Sequence, residues 1–201
     1  MKMEYLDGET PLDSDEMEGL KHPHIQTRGE LNQLEQHNIQ EGYKWLARQR
    51  KHKDLLSEAF LLDLHNQMLG QVWSWAGSFR HTEKNIGVDP LVIGVELRNL
   101  LEDAKYWIEH GTYSREEFAA RFHHRLVKIH LFPNGNGRHA RIMTDVVLEN
   151  VLDALPIEWG DRTLDVKGEH RQHYISTLQA ADNNDYQPLI YFVSTENVNG
   201  V

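Results

Sequence analysis

The chain contains no cysteine. That absence excludes a disulfide framework and thiolate chemistry, and it fits a reducing compartment, so the expected location is the cytoplasm. There is no apolar run of membrane-spanning length, and the N-terminus lacks a basic-then-apolar leader. Basic residues are scarce as well. With 21 Lys and Arg against 31 Asp and Glu, the formal net charge is −10, which argues against nucleic acid or a general membrane surface as partner. Linkers rich in Gly, Pro or Ser, internal repeats and low-complexity tracts are also missing. The 201 residues therefore read as one domain with room for a substantial core.

What is present is helical periodicity along most of the chain. Asp13 or Ser14 can cap a short acidic helix near the N-terminus. Thr27-Arg28-Gly29-Glu30 is a capping box, and Leu31, Leu34, Trp45 and Leu46 give the helix behind it an apolar face. A helix starting near Asp54 or Ser57 buries Phe60, Leu61, Leu64 and Met68 and ends at Gly70. Pro90 suits a helix start, Leu97, Leu100, Leu101, Ala104, Trp107 and Ile108 form a broad stripe, and Gly111 closes it. Ser114-Arg115-Glu116-Glu117 opens the next helix, whose Phe118, Phe122, Leu126 and Ile129 lead to His130. Ile142, Met143, Val146, Val147, Val151 and Leu152 cover more than one side, which predicts a central helix ended by Leu155-Pro156. A loop over 156–168 and a helix from His170 to Ala181, with Tyr174 and Leu178 inward, complete the pattern.

Residues 71–90 differ. Trp73, Trp75 and Phe79 alternate with small residues, and Lys84 to Pro90 bring turn formers, so a β-hairpin leaning on the helices is expected here. Histidines 22, 24, 37, 123 and 124 read as surface or structural residues. His124 and His130, six apart, fall on different helical faces and make no zinc pair.

The chemistry concentrates between Lys128 and Arg141, in Lys-Ile-His-Leu-Phe-Pro-Asn-Gly-Asn-Gly-Arg-His-Ala-Arg. The glycines free a turn to expose consecutive N–H groups. A helix that starts near Gly137 or Arg138 adds its own unpaired first-turn donors and its dipole, which together make an anion site. Arg138 and Arg141, three apart, share one face beside it and carry forks suited to phosphate oxygens. His130 is the side chain nearby that can take a proton near neutral pH. Base, cradle and two arginines point to chemistry on a polyphosphate.

His130-Leu131-Phe132-Pro133-Asn134-Gly135-Asn136-Gly137-Arg138-His139-Ala140-Arg141 resembles the signature of the Fic family, His-Pro-Phe-x-(Asp/Glu)-Gly-Asn-Gly-Arg-x-x-Arg. It departs at Leu131 and at Asn134, the latter replacing the acid that holds magnesium in the family. Ser14-Asp15-Glu16-Met17-Glu18-Gly19 resembles the family's inhibitory helix, Trp73 to Arg80 and the residues after it resemble the segment leading to the family's flap, and Asp185 to Leu189 its closing Asp-Tyr-x-Pro-Leu. The overall pattern is also similar to a bacterial Fic subgroup called mobile mystery protein B.

The resemblance implies an all-α, Fic-type helical bundle with a small β-hairpin flap. It implies a single domain over residues 1–201, with an N-terminal segment at 1–26, the flap region at 71–90 and the helix-loop-helix core at 114–155. It further implies transfer of AMP from ATP, with Mg²⁺, to a hydroxyl of a target protein. His130 would be the base, Gly135, Asn136, Gly137, Arg138 and Arg141 would bind the nucleotide, and Asn134 would be a weakened magnesium ligand. Glu18 would inhibit by pairing with Arg141, and Ile86 and Gly87 would dock the target. A Fic-fold kinase or another phosphate-ester transferase remains an alternative, as does a weakened ATP-binding module. A homo-oligomer or a regulatory partner is left open.

Overall fold

The computed structural model describes residues 13–25, 27–49, 54–159 and 168–195. The expectations for the first twelve residues and for the loop at 160–167 lie outside the described residues. Eight α-helices are found among those described: α1 (Ser14–Met17), α2 (Arg28–Leu46), α3 (Glu58–Leu69), α4 (Ile93–His110), α5 (Arg115–Ile129), α6 (Asn136–Asn150), α7 (Glu169–Asp182) and α8 (Gln187–Thr195). A 3₁₀ turn at Pro90–Val92 leads into α4.

The local chemistry explains the boundaries. Asp13 and Thr27 each cap a helix in a reciprocal box with Glu16 and Glu30. The Ser57 and Ser114 hydroxyls each accept the N–H three residues on. Gly111 closes α4 in the left-handed conformation at φ 56°.

α5 lies centrally, packed against α4, α6 and α8, while α3 packs against α2 and α6. The larger core gathers the predicted stripes of α3 to α6, including Phe60, Leu64, Leu97, Phe122, Ile129 and Val147. A second core joins Tyr174, Leu178, Leu189 and Phe192 of α7 and α8 to Leu148 and Trp159. Asp145 fixes that end, accepting from the Ile157 N–H and the Trp159 indole at 3.0 Å each. Val151, expected in the stripe of α6, stands 41 % exposed as its C-cap.

The expected hairpin is not found. Residues 71–89 contain no strand, and the one bridge recorded there is an isolated antiparallel pairing of Trp73 with Leu20. Reverse turns replace it: the Ala76 N–H reaches the Trp73 carbonyl, the Ser78 N–H reaches that of Trp75, and Gly77 sits at φ 81°. The alternating aromatics come from burial within turns, where Trp73 and Trp75 stack 4.9 Å apart. Further on, the segment bonds to the end of α5 instead of to itself. The Arg80 N–H donates to Leu131 at 2.9 Å and the Val88 N–H to Ile129 at 3.4 Å.

Candidate active site

The loop between α5 and α6 is held by its own side chains. His130 caps α5 in the left-handed region at φ 57°, ψ 67°, a conformation rare for a residue with a Cβ. This reversal drops Leu131 and Phe132 into the core. Phe132 stacks on His65 of α3 with centroids 3.6 Å apart. Asn136 grips the Phe132 backbone both ways, accepting its N–H at 2.9 Å and donating to its carbonyl at 2.7 Å. Gly135 is required on two counts. Its φ is 79°, and a Cβ there would meet Leu69 at 2.6 Å. α6 then begins at Asn136, slightly earlier than the sequence suggested, with no side chain capping its first turn.

His65 tethers the loop from below. The Gly77 N–H donates to its Nδ1 at 3.0 Å, so the proton resides on Nε2, which donates to the Asn134 carbonyl at 3.0 Å. Burial holds its pKa well below the usual histidine range, and the neighbouring His139 acts in the same direction.

His130 is 4 % exposed. Burial, chiefly, and then the charge of Arg80 push its pKa down to about 4, so the imidazole is neutral at pH 7. Residues 84–88 lie over it, and a Cβ built on Gly87 would meet the His130 Cβ at 2.8 Å and an Arg80 nitrogen at 2.5 Å. Arg80 is the clasp. Its Nε donates to the His130 carbonyl at 2.6 Å, Nη1 to Thr82 at 2.9 Å, and Nη2 to Val88 and, at 3.4 Å, to Ile129.

On the other side of the loop, Arg138 in the first turn of α6 pairs with Glu35 of α2 (Nη1 to Oε2, 2.9 Å). Its Nη2 lies 3.5 Å from Asn134 Oδ1. Arg141 is buried, and its Nη1 would be the nearest atom, at 3.8 Å, to a Cβ added at Gly137, so its guanidinium folds back over that same first turn.

His130, Gly87, Gly135, Asn136, Gly137, Arg138 and Arg141 gather around the loop, with Ile86 exposed at the edge. Two expectations fare differently. Glu18 is exposed, and no hydrogen bond or ion pair joins it to Arg141; the nearby Glu16 instead binds Lys84 and the Thr82 hydroxyl. Asn134 turns its amide oxygen onto its own loop, accepting the Gly135 N–H at 2.7 Å. That N–H is therefore not presented to a ligand. The uncharged, engaged oxygen of Asn134 does not fit a magnesium ligand. Among the described residues no group of three or more His, Asp or Glu could hold a metal.

The sequence reading missed His65, Glu35 and a site role for Arg80. Each is a polar residue that ends up buried. For His65 the signal was available, because it sits on the apolar stripe of α3 beside Leu61, Leu64 and Met68.

The model of the Fic/DOC family matches residues 55–148. The chain is 26 % identical over 145 residues to the protein adenylyltransferase Fic of Aedes aegypti, an overlap of 70 % of this chain and 28 % of that protein. It therefore spans little more than a quarter of that relative's length. Among solved structures, the N-terminal Fic domain of Bep8 from Bartonella sp. 1-1C is similar with a TM-score of 0.68 at 17 % identity, covering 88 % of each chain. BepC of Bartonella tribocorum, solved with bound AMPPNP, is similar with a TM-score of 0.66 at 18 % identity, covering 92 % of this chain and 98 % of that one. At these identities the structural likeness is one of fold.

Proposed function

We propose that the chain belongs to the Fic/DOC family, whose model matches residues 55–148, and that it is a protein adenylyltransferase, moving AMP from ATP to a Ser, Thr or Tyr hydroxyl of a target protein. The observation that carries this reading is the pairing of a neutral, buried His130 at the end of α5 with Arg138 and Arg141 at the start of α6. The triphosphate lies over the first turn of α6. Its backbone N–H groups and the two guanidinium groups neutralise the β- and γ-phosphates. His130 takes the proton of the target hydroxyl as that oxygen attacks the α-phosphorus, the bond from the α-phosphorus to the β-bridging oxygen breaks, and pyrophosphate leaves.

Because residues 84–88 cover His130, the hydroxyl reaches the ring only when that segment shifts. This suits the segment for docking an extended stretch of the target at Ile86 and Gly87, by strand addition. Asn134 does not fit a metal ligand, so any Mg²⁺ comes with the phosphates of ATP, and the steps assigned here belong to side chains and backbone alone. Placement in the mobile mystery protein B subgroup rests on the sequence pattern alone. No helix among the described residues is long and apolar enough to cross a membrane.

The deciding experiment uses ATP labelled at either the α- or the γ-phosphate, incubated with protein and cell lysate. Label on protein from α-ATP, reduced by about 10²- to 10⁴-fold in His130→Ala, is the expected result. Label only from γ-ATP would make the protein a kinase. ATP binding with no label from either would leave a binding module, the reading that the covered His130 and the uncharged Asn134 favour next.

The N-terminal brake can be tested in the same assay. Glu18→Gly is expected to raise the rate if a glutamate competes with phosphate for Arg141. Glu16→Gln, which releases Lys84, is expected to raise it if α1 acts by strapping down the covering segment. Parent-level rates in both variants would remove autoinhibition from the account.

A further inference from the structure

Glu35 belongs to no part of the signature, yet it is the acid that holds Arg138. It lies on α2, 103 residues before its partner, and is only 3 % exposed. Its two oxygens have separate duties. Oε1 accepts the Trp73 indole N–H at 2.7 Å, and Oε2 accepts Arg138 Nη1 at 2.9 Å. We infer that Glu35 is a positioning residue for nucleotide binding, fixing the Arg138 guanidinium so that its outer side meets an incoming phosphate. The inference rests on the nucleotide reading above and adds to it the residue that readies the site before the nucleotide arrives.

Arg138 is the third residue of α6, at the positive end of that helix, with Arg141 one turn further on. Two cations there with no anion nearby repel one another and the helix end. A fixed carboxylate on the buried side relieves this while the site is empty. It also restrains a side chain that would otherwise lose much rotamer freedom on binding phosphate. The exposures place the two groups: the Arg138 side chain is 18 % exposed and that of Glu35 is 4 %. A phosphate can therefore approach from the solvent side without displacing the acid.

Other roles fit less well. A metal ligand needs an oxygen to spare, and both oxygens of Glu35 face N–H donors. A purely stabilising role is weak ground for a buried ion pair, since well-packed apolar residues serve as well or better. Apolar residues, however, cannot orient a cation.

Glutamine tests this sharply. Its amide has one acceptor where Glu35 meets two donors, so Glu35→Gln must turn an NH₂ toward either Trp73 or Arg138. Binding of AMPPNP is measured by calorimetry for the parent, Glu35→Gln, Arg138→Ala and the double variant. The expected result is about tenfold weaker binding in Glu35→Gln and a double variant no weaker than Arg138→Ala alone, the non-additivity of two residues acting as one unit. Binding by Glu35→Gln as tight as the parent's, or tighter, overturns the inference. So does a double variant whose loss is the product of the two single losses. Should Glu35→Gln melt below the working temperature, Glu35→Asp takes its place in the cycle, keeping both acceptors but shortening their reach. A parent that fails to bind AMPPNP sinks the nucleotide reading and this role with it, whereas a binding parent with additive losses sinks only the role of Glu35.

Discussion

Lowering the pH from 7 to 5 is expected to remove on the order of 6 kcal/mol of folding stability, close to the whole margin of an ordinary domain. The cause is a set of buried, neutral histidines. Burial pushes His123 down to about 3 and His139 to about 4, and burial with the charge of Arg80 does the same to His130, at about 4. In the unfolded chain each takes up a proton as the pH drops below about 6.5. In the folded chain none does so until pH 4 or below. Between these limits the unfolded state binds more protons, so stability is fully present above the unfolded value and declines as the pH falls. At pH 5 each group accounts for about 2 kcal/mol, from about 1.36 kcal/mol per pKa unit.

His65 acts in the same direction. Relief of the excess negative charge acts the other way, because acid brings the net charge from −10 toward zero. Urea melts followed by tryptophan fluorescence at pH 7, 6 and 5 will measure the balance. The midpoint should fall most between pH 6.5 and 5, and a midpoint unchanged over that range would show that these rings take up protons without unfolding.

The second large effect belongs to Arg80. Replacing it with Ala is expected to cost on the order of 5 kcal/mol. The side chain is 1 % exposed and donates to the carbonyls of His130, Thr82, Val88 and Ile129. Truncation takes this donor from the carbonyls of His130, Thr82 and Val88, while Ile129 keeps the Val88 N–H, and opens a void beneath residues 84–88. A buried carbonyl deprived of its partner costs about 1–3 kcal/mol, and the missing stem adds a packing loss. Arg80→Lys keeps the charge, but a single ammonium cannot span carbonyls spread from residue 82 to residue 130, so about half the loss should remain. Denaturant melts give the stability. Amide exchange at 84–89 gives the local consequence, with protection lost in Arg80→Ala under conditions where α3 and α5 stay protected. A variant within about 1 kcal/mol of the parent would mean that water or neighbouring N–H groups satisfy those carbonyls.

Much of this molecule could be read from its residues because the informative signals are local. Thr27 with Glu30, Ser57, Ser114 and Gly111 mark helix ends through bonds spanning four residues or fewer. The stripes of α3 to α6 follow the helical repeat into the core. The loop from His130 to Arg141 was legible for the same reason, since its parts are neighbours in sequence. The hairpin failed because alternation at Trp73 and Trp75 has more than one structural cause, and here turns supply it. His65 stood out on its apolar stripe, but its role, like those of Arg80 and Glu35, depends on a partner far along the chain, 69, 50 and 103 residues away respectively. A polar side chain shows no preference for burial until the group that satisfies it is in view.

Glu35 comes from α2, and α2 lies wholly outside the stretch that matches the family, residues 55–148. A fragment trimmed to that match would retain every signature residue and still strip Arg138 of its counter-charge and Trp73 of its acceptor. It would also bare the flank of α3 on which Asn38 of α2 holds the Gln67 carbonyl and the Gln71 N–H. The span that matches the family and the span that can stand by itself are therefore different pieces of chain. A minimal version built for the bench has to begin no later than Thr27.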